Sequence, residues 1–185
     1  MLKPVRPREV TVPDVEFEAV FRHSGPLLQL CLLLAREGGL RHGTIINFCA
    51  ANCNFETRTI TGRSKAYSSY TVPMTKRLHD RLLFVCAGAN DALEPLVAQF
   101  NRQRKPVHYN SITTSLNRAK KLAGVERPWG FHDLRRTAAR ALFDRCGEIR
   151  KVQRFLGHAS PQQSWWYLGN AAIELESEDL ERMIA

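Results

Sequence analysis

Residues 130–140 read GFHDLRRTAAR. Within two helical turns this stretch holds His132, Arg135, Arg136 and Arg140, with only Asp133 to offset them. Like charges three or four positions apart are neighbours on a helix and repel one another. A purely structural helix interleaves acids at that spacing, so the run asks for an anion from outside the chain. It also opens the part of the sequence where helical periodicity dominates: from 132 onward apolar residues recur at helical intervals, broken at Gly147, at Gly157–Pro161 and at Gly169.

Upstream the pattern is also mostly helical. Asp14 is placed to cap a short helix through Phe21, and Pro26 starts a strongly apolar helix that Gly38 and Gly39 stop. A further helix is expected from Arg41 to about Cys49. Helical spacing returns at 75–86, 92–101 and 110–122. TRTITG (57–62) and SSYTVPM (68–74) alternate instead, and the polar GRSKAY lies between them: a β-hairpin. The expected fold is mainly α with one small antiparallel hairpin, an α+β domain. Leu28, Leu32, Ile149, Val152 and Phe155 are the expected core.

The chain has 185 residues, the size of one domain, and 44% of them are hydrophobic, enough for a sizeable core. Lys and Arg number 27 against 18 Asp and Glu, a net charge of +9 that favours a polyanionic partner. The excess is uneven: residues 101–121 contain no acid, whereas 174–182 are acid-rich. Five cysteines, odd in number and mostly in apolar runs, read as reduced, buried thiols of a cytosolic protein. Cys49 and Cys53 have no second pair at zinc-ligand spacing, and His23, His42, His79 and His108 show no metal pattern, so no metal is expected. LLQLCLLLA at 27–35 is too short to span a bilayer, and MLKPVRPREV lacks a signal peptide's apolar region. The expectation is a cytoplasmic protein that does not engage a membrane.

Five pieces of charged punctuation follow in order: GGLRHGTI around Arg41, the hairpin turn with Lys65, FHDLRRT with His132 and Arg135, LGHAS with His158, and WWYLG with Tyr167. Together they resemble the catalytic domain of the tyrosine recombinases, or phage integrase family. That family's pattern is an Arg after a Gly-Leu step, a hairpin Lys, His-x-x-Arg, Leu-Gly-His, and a Tyr nine positions beyond that His, a spacing His158 and Tyr167 meet. The resemblance covers about residues 14 to 170. It implies a catalytic domain over 14–170, flanked by a basic arm at 1–13 and a tail at 171–185. Family members generally also carry an N-terminal DNA-clamping domain, for which residues 1–13 lack the length.

The resemblance implies a site-specific enzyme that cuts and rejoins duplex DNA at paired sites through a 3′-phosphotyrosine and a four-armed junction. It would act as a tetramer, with accessory DNA-bending factors as possible partners and no cofactor. The residue types suit the chemistry. Tyr167 is the nucleophile, Arg41 and Arg135 fork onto the phosphate oxygens, and His132 lies one turn from Arg135 on the same face. The family gives that His proton handling and gives His158 a hydrogen bond to a phosphate oxygen; Lys65 fits its general acid. Arg63, Arg136 and Arg140 are candidates for backbone-phosphate contacts. Blander roles stand beside these. Tyr167 adjoins Trp165 and Trp166 as packing aromatics do, Arg41 suits a helix C-cap, and hairpin lysines are usually just exposed. Arg63 shares the turn with Lys65, and Thr44 stands where many members carry an acid. Two other activities fit the same residues: a type IB topoisomerase that relaxes supercoils, and a non-cleaving DNA-binding remnant.

Overall fold

The computed structural model describes residues 11–63, 69–101 and 107–168, the side chain of Trp166 excepted. Its organising element is α2 (Pro26–Arg36), whose buried residues run almost without a break from Leu28 through Ala35. A helix apolar on all sides must be covered on all sides. Here α1 (Asp14–Arg22), α3 (His42–Ile46), α4 (Lys76–Ala87), α5 (Tyr109–Leu122) and α6 (Phe131–Cys146) pack around it. Pro26 sits in the first turn, where its missing N–H costs nothing, and the chain leaves the helix at Glu37–Gly39.

The expected hairpin is present as β2 (Thr59–Arg63) and β3 (Ser69–Pro73), paired antiparallel with Ile60 opposite Val72 and Gly62 opposite Tyr70. Alternation buries Ile60 and Val72 on one face. A third strand, β1 (Cys53–Asn54), joins the other edge of β2. At two residues it is too short to leave a pattern in the sequence.

Two expected helices are cut back. The one from Arg41 ends at Ile46 rather than Cys49, because Phe48 and Cys49 turn to pair with the 95–96 segment: the Leu96 N–H donates to the Phe48 carbonyl at 2.8 Å, and Cys49 bridges Pro95. For the same reason 92–101 is not an α-helix but a 3₁₀ turn over Leu96–Phe100, since Pro95 lacks an N–H and the Asp91 side chain binds the Leu93 N–H in a tight turn. Asp14 is the first helical residue of α1, with Pro13 at the cap. Residues 11–13 are not a free arm: Val12 is buried and its N–H donates to Thr137 Oγ1 on α6 at 2.9 Å.

The C-terminal helices form a smaller second layer. α6, α7 (Ile149–Leu156) and α8 (Pro161–Leu168) enclose Ala139, Val152, Leu156 and Leu168, with Ile149, Phe155 and Tyr167 packed at the margin. Left-handed glycines end α6 at Gly147 and α7 at Gly157, as the sequence breaks foretold. Gly169 lies outside the described residues. α7 also leans on β3, so this layer joins the sheet to the end of α6.

Gly157 has a second reason to be glycine: a Cβ there would lie 2.2 Å from the Tyr70 ring, whereas one on the equally left-handed Gly124 (φ 68°) would meet nothing. Gly124→Ala is therefore expected to cost about 1–2 kcal/mol from backbone conformation alone. Gly157→Ala should cost about twice that or more, since overpacking is added. Urea unfolding of the two variants checks this; equal losses would contradict the close packing.

Candidate active site

The N-terminus of α6 is fixed before its charges are placed. The Gly130 N–H donates to Asp133 Oδ2 at 2.9 Å, closing the first turn, and Lys120 Nζ donates to the Trp129 carbonyl just ahead of it at 3.1 Å. Asp133, the single acid in the opening stretch, is thus occupied as a cap.

Arg135, two residues further, is the largest fully buried side chain, at 1% exposure. A buried guanidinium is tolerable only if its N–H groups are met. Here Nη1 donates to the carbonyl of Gly39 and Nη2 to that of Leu156. One side chain therefore ties the Gly-Leu step before Arg41 to the end of α7 before His158. Arg41 stands at the N-cap of α3, not as a C-cap of the helix before it, and its Nη1 is buried without a hydrogen-bond partner among the described residues. His158 follows Gly157, with its Nδ1 3.0 Å from the buried Ser164 Oγ.

α8 delivers Tyr167 to the same place. Its hydroxyl donates to the His132 carbonyl at 3.1 Å, and its ring meets His158 edge-on at 5.4 Å between centroids. The guanidinium carbons of Arg135 and Arg136 lie 5.8 and 5.3 Å from the ring centre. Arg41, His132, Arg135, His158 and Tyr167 line a single cleft of about 550 Å³, completed by Ser160, Gln162 and Gln163, with no carboxylate among these residues.

The electrostatics follow from burial beside like charges. Desolvation and then Arg135 lower the Arg41 pKa, which leaves a guanidinium charged at neutral pH. His158 is pushed down to about 4 by desolvation, with Arg135 and Arg41 adding to it. His132 is lowered for the same reasons, desolvation first and Arg135 next, so both imidazoles are neutral at pH 7. Desolvation raises the Tyr167 pKa, opposed by Arg135, Arg136 and Arg41.

The structure thus gathers five of the six residues picked from the motifs. The sixth, Lys65, lies outside the described residues. Of the secondary candidates, Arg63 is exposed at the end of β2. Arg136 faces Tyr167, and Arg140 pairs with Asp144 at 2.7 Å. Sequence reasoning missed Ser164 and the two glutamines. Their only signal was proximity to the Leu-Gly-His motif, since nothing in isolated polar residues of a helix predicts which way they face. His42, read as structural or surface, is buried between the rings of Tyr109 and Phe131 at 4.0 and 4.2 Å, both its nitrogens without a hydrogen-bond partner among the described residues. No group of acids, histidines and cysteines that could hold a metal occurs among the described residues. All five cysteines are free thiols, two buried and three half-buried. No described helix is long and apolar enough to cross a membrane.

The sequence model of the phage integrase family matches residues 21–173. The chain belongs to the phage integrase family. Its fold is that of the tyrosine recombinases: the XerA recombinase superposes with a TM-score of 0.74 at 21% identity, over 98% of this chain and 65% of that one. XerH site-specific recombinase bound to its difH substrate gives 0.73 at 21% identity, over 95% of this chain and 53% of that one. The Tn1549 transposon integrase in complex with transposon right-end DNA gives 0.72 at 15%, over 100% and 69%. This integrase-family chain spans about two thirds of the XerA length and half of the XerH length. Comparison with curated protein sequences gives no match.

His42 and His158 both fall from the ordinary 6.5 to about 4 in the fold. As pH drops from 6.5 towards 4, the unfolded chain takes up protons that the folded one refuses, so stability is full above that window and is lost within it. The melting temperature is expected to fall steadily between pH 7 and pH 4.5. His42→Phe keeps the ring stack and has no hydrogen bond to lose, so it should be tolerated at pH 7 and should flatten part of that slope. An unchanged slope would show that His42 titrates normally.

Proposed function

We propose that this integrase-family protein cuts and rejoins double-stranded DNA through a covalent bond between Tyr167 and a strand phosphate. The observation that carries the proposal is a cleft, lined by no carboxylate among the described residues, in which Tyr167 stands with two guanidiniums and two neutral imidazoles. Such a cleft suits a phosphodiester: forked cations match its oxygens, and a nucleophile stands beside them.

Each group then has a step. Tyr167 Oη, released from the His132 carbonyl, attacks phosphorus as its proton passes to a neutral imidazole, that of His132, to which the family resemblance gives proton handling. Arg41 and the remaining N–H groups of Arg135 meet the charge that grows on the non-bridging oxygens. With Ser164 donating to Nδ1, His158 carries its hydrogen on Nε2 and donates it to the same oxygens. The P–O5′ bond breaks, and the 5′-oxygen leaves with a proton from Lys65, the role the family resemblance gives that residue. The phosphotyrosyl link keeps the energy of the broken linkage, so attack by another strand's 5′-hydroxyl reverses the chemistry and completes an exchange. Exchange between two duplexes needs four such subunits on paired sites. This assembly, a specific recognition sequence, and any accessory DNA-bending factors extend the resemblance to full-length recombinases.

A library of nicked duplexes of varied sequence, incubated with the protein and run on a denaturing gel, tests the proposal. The wild type is expected to form a protein–DNA adduct that Tyr167→Phe abolishes while still retaining duplex in a filter assay. Arg41→Ala should slow the adduct by about 10²–10³-fold, the usual effect of losing one charge-stabilising donor. Retention should weaken steeply with salt. Salt-sensitive retention of duplex without any adduct would replace the enzyme reading with the non-cleaving one.

A further inference from the structure

α7 repeats on its outer side the charge pattern of α6. Val152 and Leu156 turn to the core, whereas Arg150 and Arg154, four apart, share another face of the helix with Gln153 and Gly157. Both arginines are exposed, and no described carboxylate pairs with either, since the neighbouring Glu148 is taken by Lys151. Like charges at that spacing repel each other. On open surface such a pair would simply be hydrated, but this one faces a cleft.

The cleft has a volume of about 640 Å³, with α7 as one wall and β3 as the other. Arg150, Gln153, Arg154 and His158 line it with the exposed Ser69 and Thr71, and no carboxylate among the described residues does. These are the side chains that meet nucleic-acid phosphates: guanidiniums supply charge and bidentate bonds, hydroxyls and amides fix register. The spacing of the walls is set by close packing at their base. A Cβ on Gly157, at the end of α7, would lie 2.2 Å from the Tyr70 ring on β3.

The second cleft adjoins the active-site cleft. His158 lines both, and the segment it begins is the partition: Pro161 borders the second cleft, Ser160 and Gln162 the first. Successive phosphates of one DNA strand follow about every 3.4 Å along the helix axis. A strand with one phosphate beside Arg41 and Arg135 therefore brings its next charge to the partition, where Arg150 and Arg154 stand without a described counterion.

We propose that the cleft between α7 and β3 binds the backbone phosphate next to the scissile one on the same strand, with Arg150 and Arg154 as its cationic contacts. Which phosphate is meant rests on the recombinase reading; that the two arginines meet a phosphate does not.

Two measurements on the whole chain separate these parts. The first is filter retention of an unmodified duplex against salt concentration. In the double variant Arg150→Gln, Arg154→Gln the slope of log affinity on log salt is expected to fall by at least about 0.9, the amount for one phosphate given up. Retention at a fixed salt should weaken about tenfold or more, the loss of one charge-assisted hydrogen bond. The double lysine variant keeps the charge and should keep the slope, and the melting temperature of both should hold within a few degrees, as neither position is buried. The second uses a duplex on which the wild type forms an adduct, with the cut phosphate mapped from that adduct. A neutral methylphosphonate is placed on one side of that phosphate or the other, and retention is read in the Tyr167→Phe background. One of the two linkages should weaken retention about tenfold, and should have no further effect once both arginines are glutamine.

An unchanged salt slope in the glutamine variant, or an equal fall in the lysine variant, would overturn the phosphate contact. Neutral linkages that weaken retention with and without the arginines alike, or not at all, would overturn its place beside the scissile phosphate. A wild type that retains duplex but makes no adduct would sink the recombinase reading, and the salt slope would still decide whether Arg150 and Arg154 meet a phosphate.

Discussion

The guanidinium of Arg135 is the constraint on which the site is built. It is sealed from solvent and bound to two main-chain carbonyls, those of Gly39 and Leu156, that lie far apart in sequence. Those two carbonyls stand just ahead of Arg41 and His158. A buried charge that lost either acceptor would be left exposed to an apolar interior, at a cost of several kcal/mol, so the fold holds these three segments together or does not close. The same residue that organises the cleft also contributes charge to it. In the proposed function, packing and phosphate recognition cannot be separated at this position.

That arrangement explains why the protein keeps so much unbalanced positive charge in one place. Asp133, which would have neutralised it, is turned to cap its own helix, and no carboxylate among the described residues lines the cleft. The imidazoles respond by staying neutral, and Tyr167 stays protonated because burial outweighs the attraction of three arginines. An anion entering the cleft changes this balance by supplying the missing charge. In the proposed reaction the resting site is inert as a nucleophile and answers to the presence of phosphate.

Much of this was legible in the sequence, for identifiable reasons. The apolar run of α2, the alternation in the hairpin and the glycine stops of α6 and α7 are local signals, and each appears where periodicity placed it. The candidate site residues were picked from motifs that resemble one family's pattern, and α6 and α8 carry His132, Arg135 and Tyr167 to one cleft. The failures were mostly non-local. The segment at 92–101 lost its helix partly to Pro95 and Asp91 within it, and partly to pairing with Phe48 and Cys49, partners some fifty residues away that no window reveals. The two-residue β1 had no period to read. Arg135 looked like a simple phosphate clamp, and its structural bonds to Gly39 and Leu156 emerged only in three dimensions. The buried stack of His42 between Tyr109 and Phe131 was hidden for the same reason.

The central claim is that Arg41, Arg135 and Tyr167 converge on one phosphate of a DNA duplex. A crystal structure of the protein on duplex DNA with orthovanadate replacing one backbone phosphate tests it most directly. The account predicts vanadium bonded to Tyr167 Oη in the cleft, with guanidinium nitrogens of both Arg41 and Arg135 within hydrogen-bond distance of its oxygens. A duplex seated on another basic face, with vanadate remote from Tyr167 and the cleft holding only water, would contradict it.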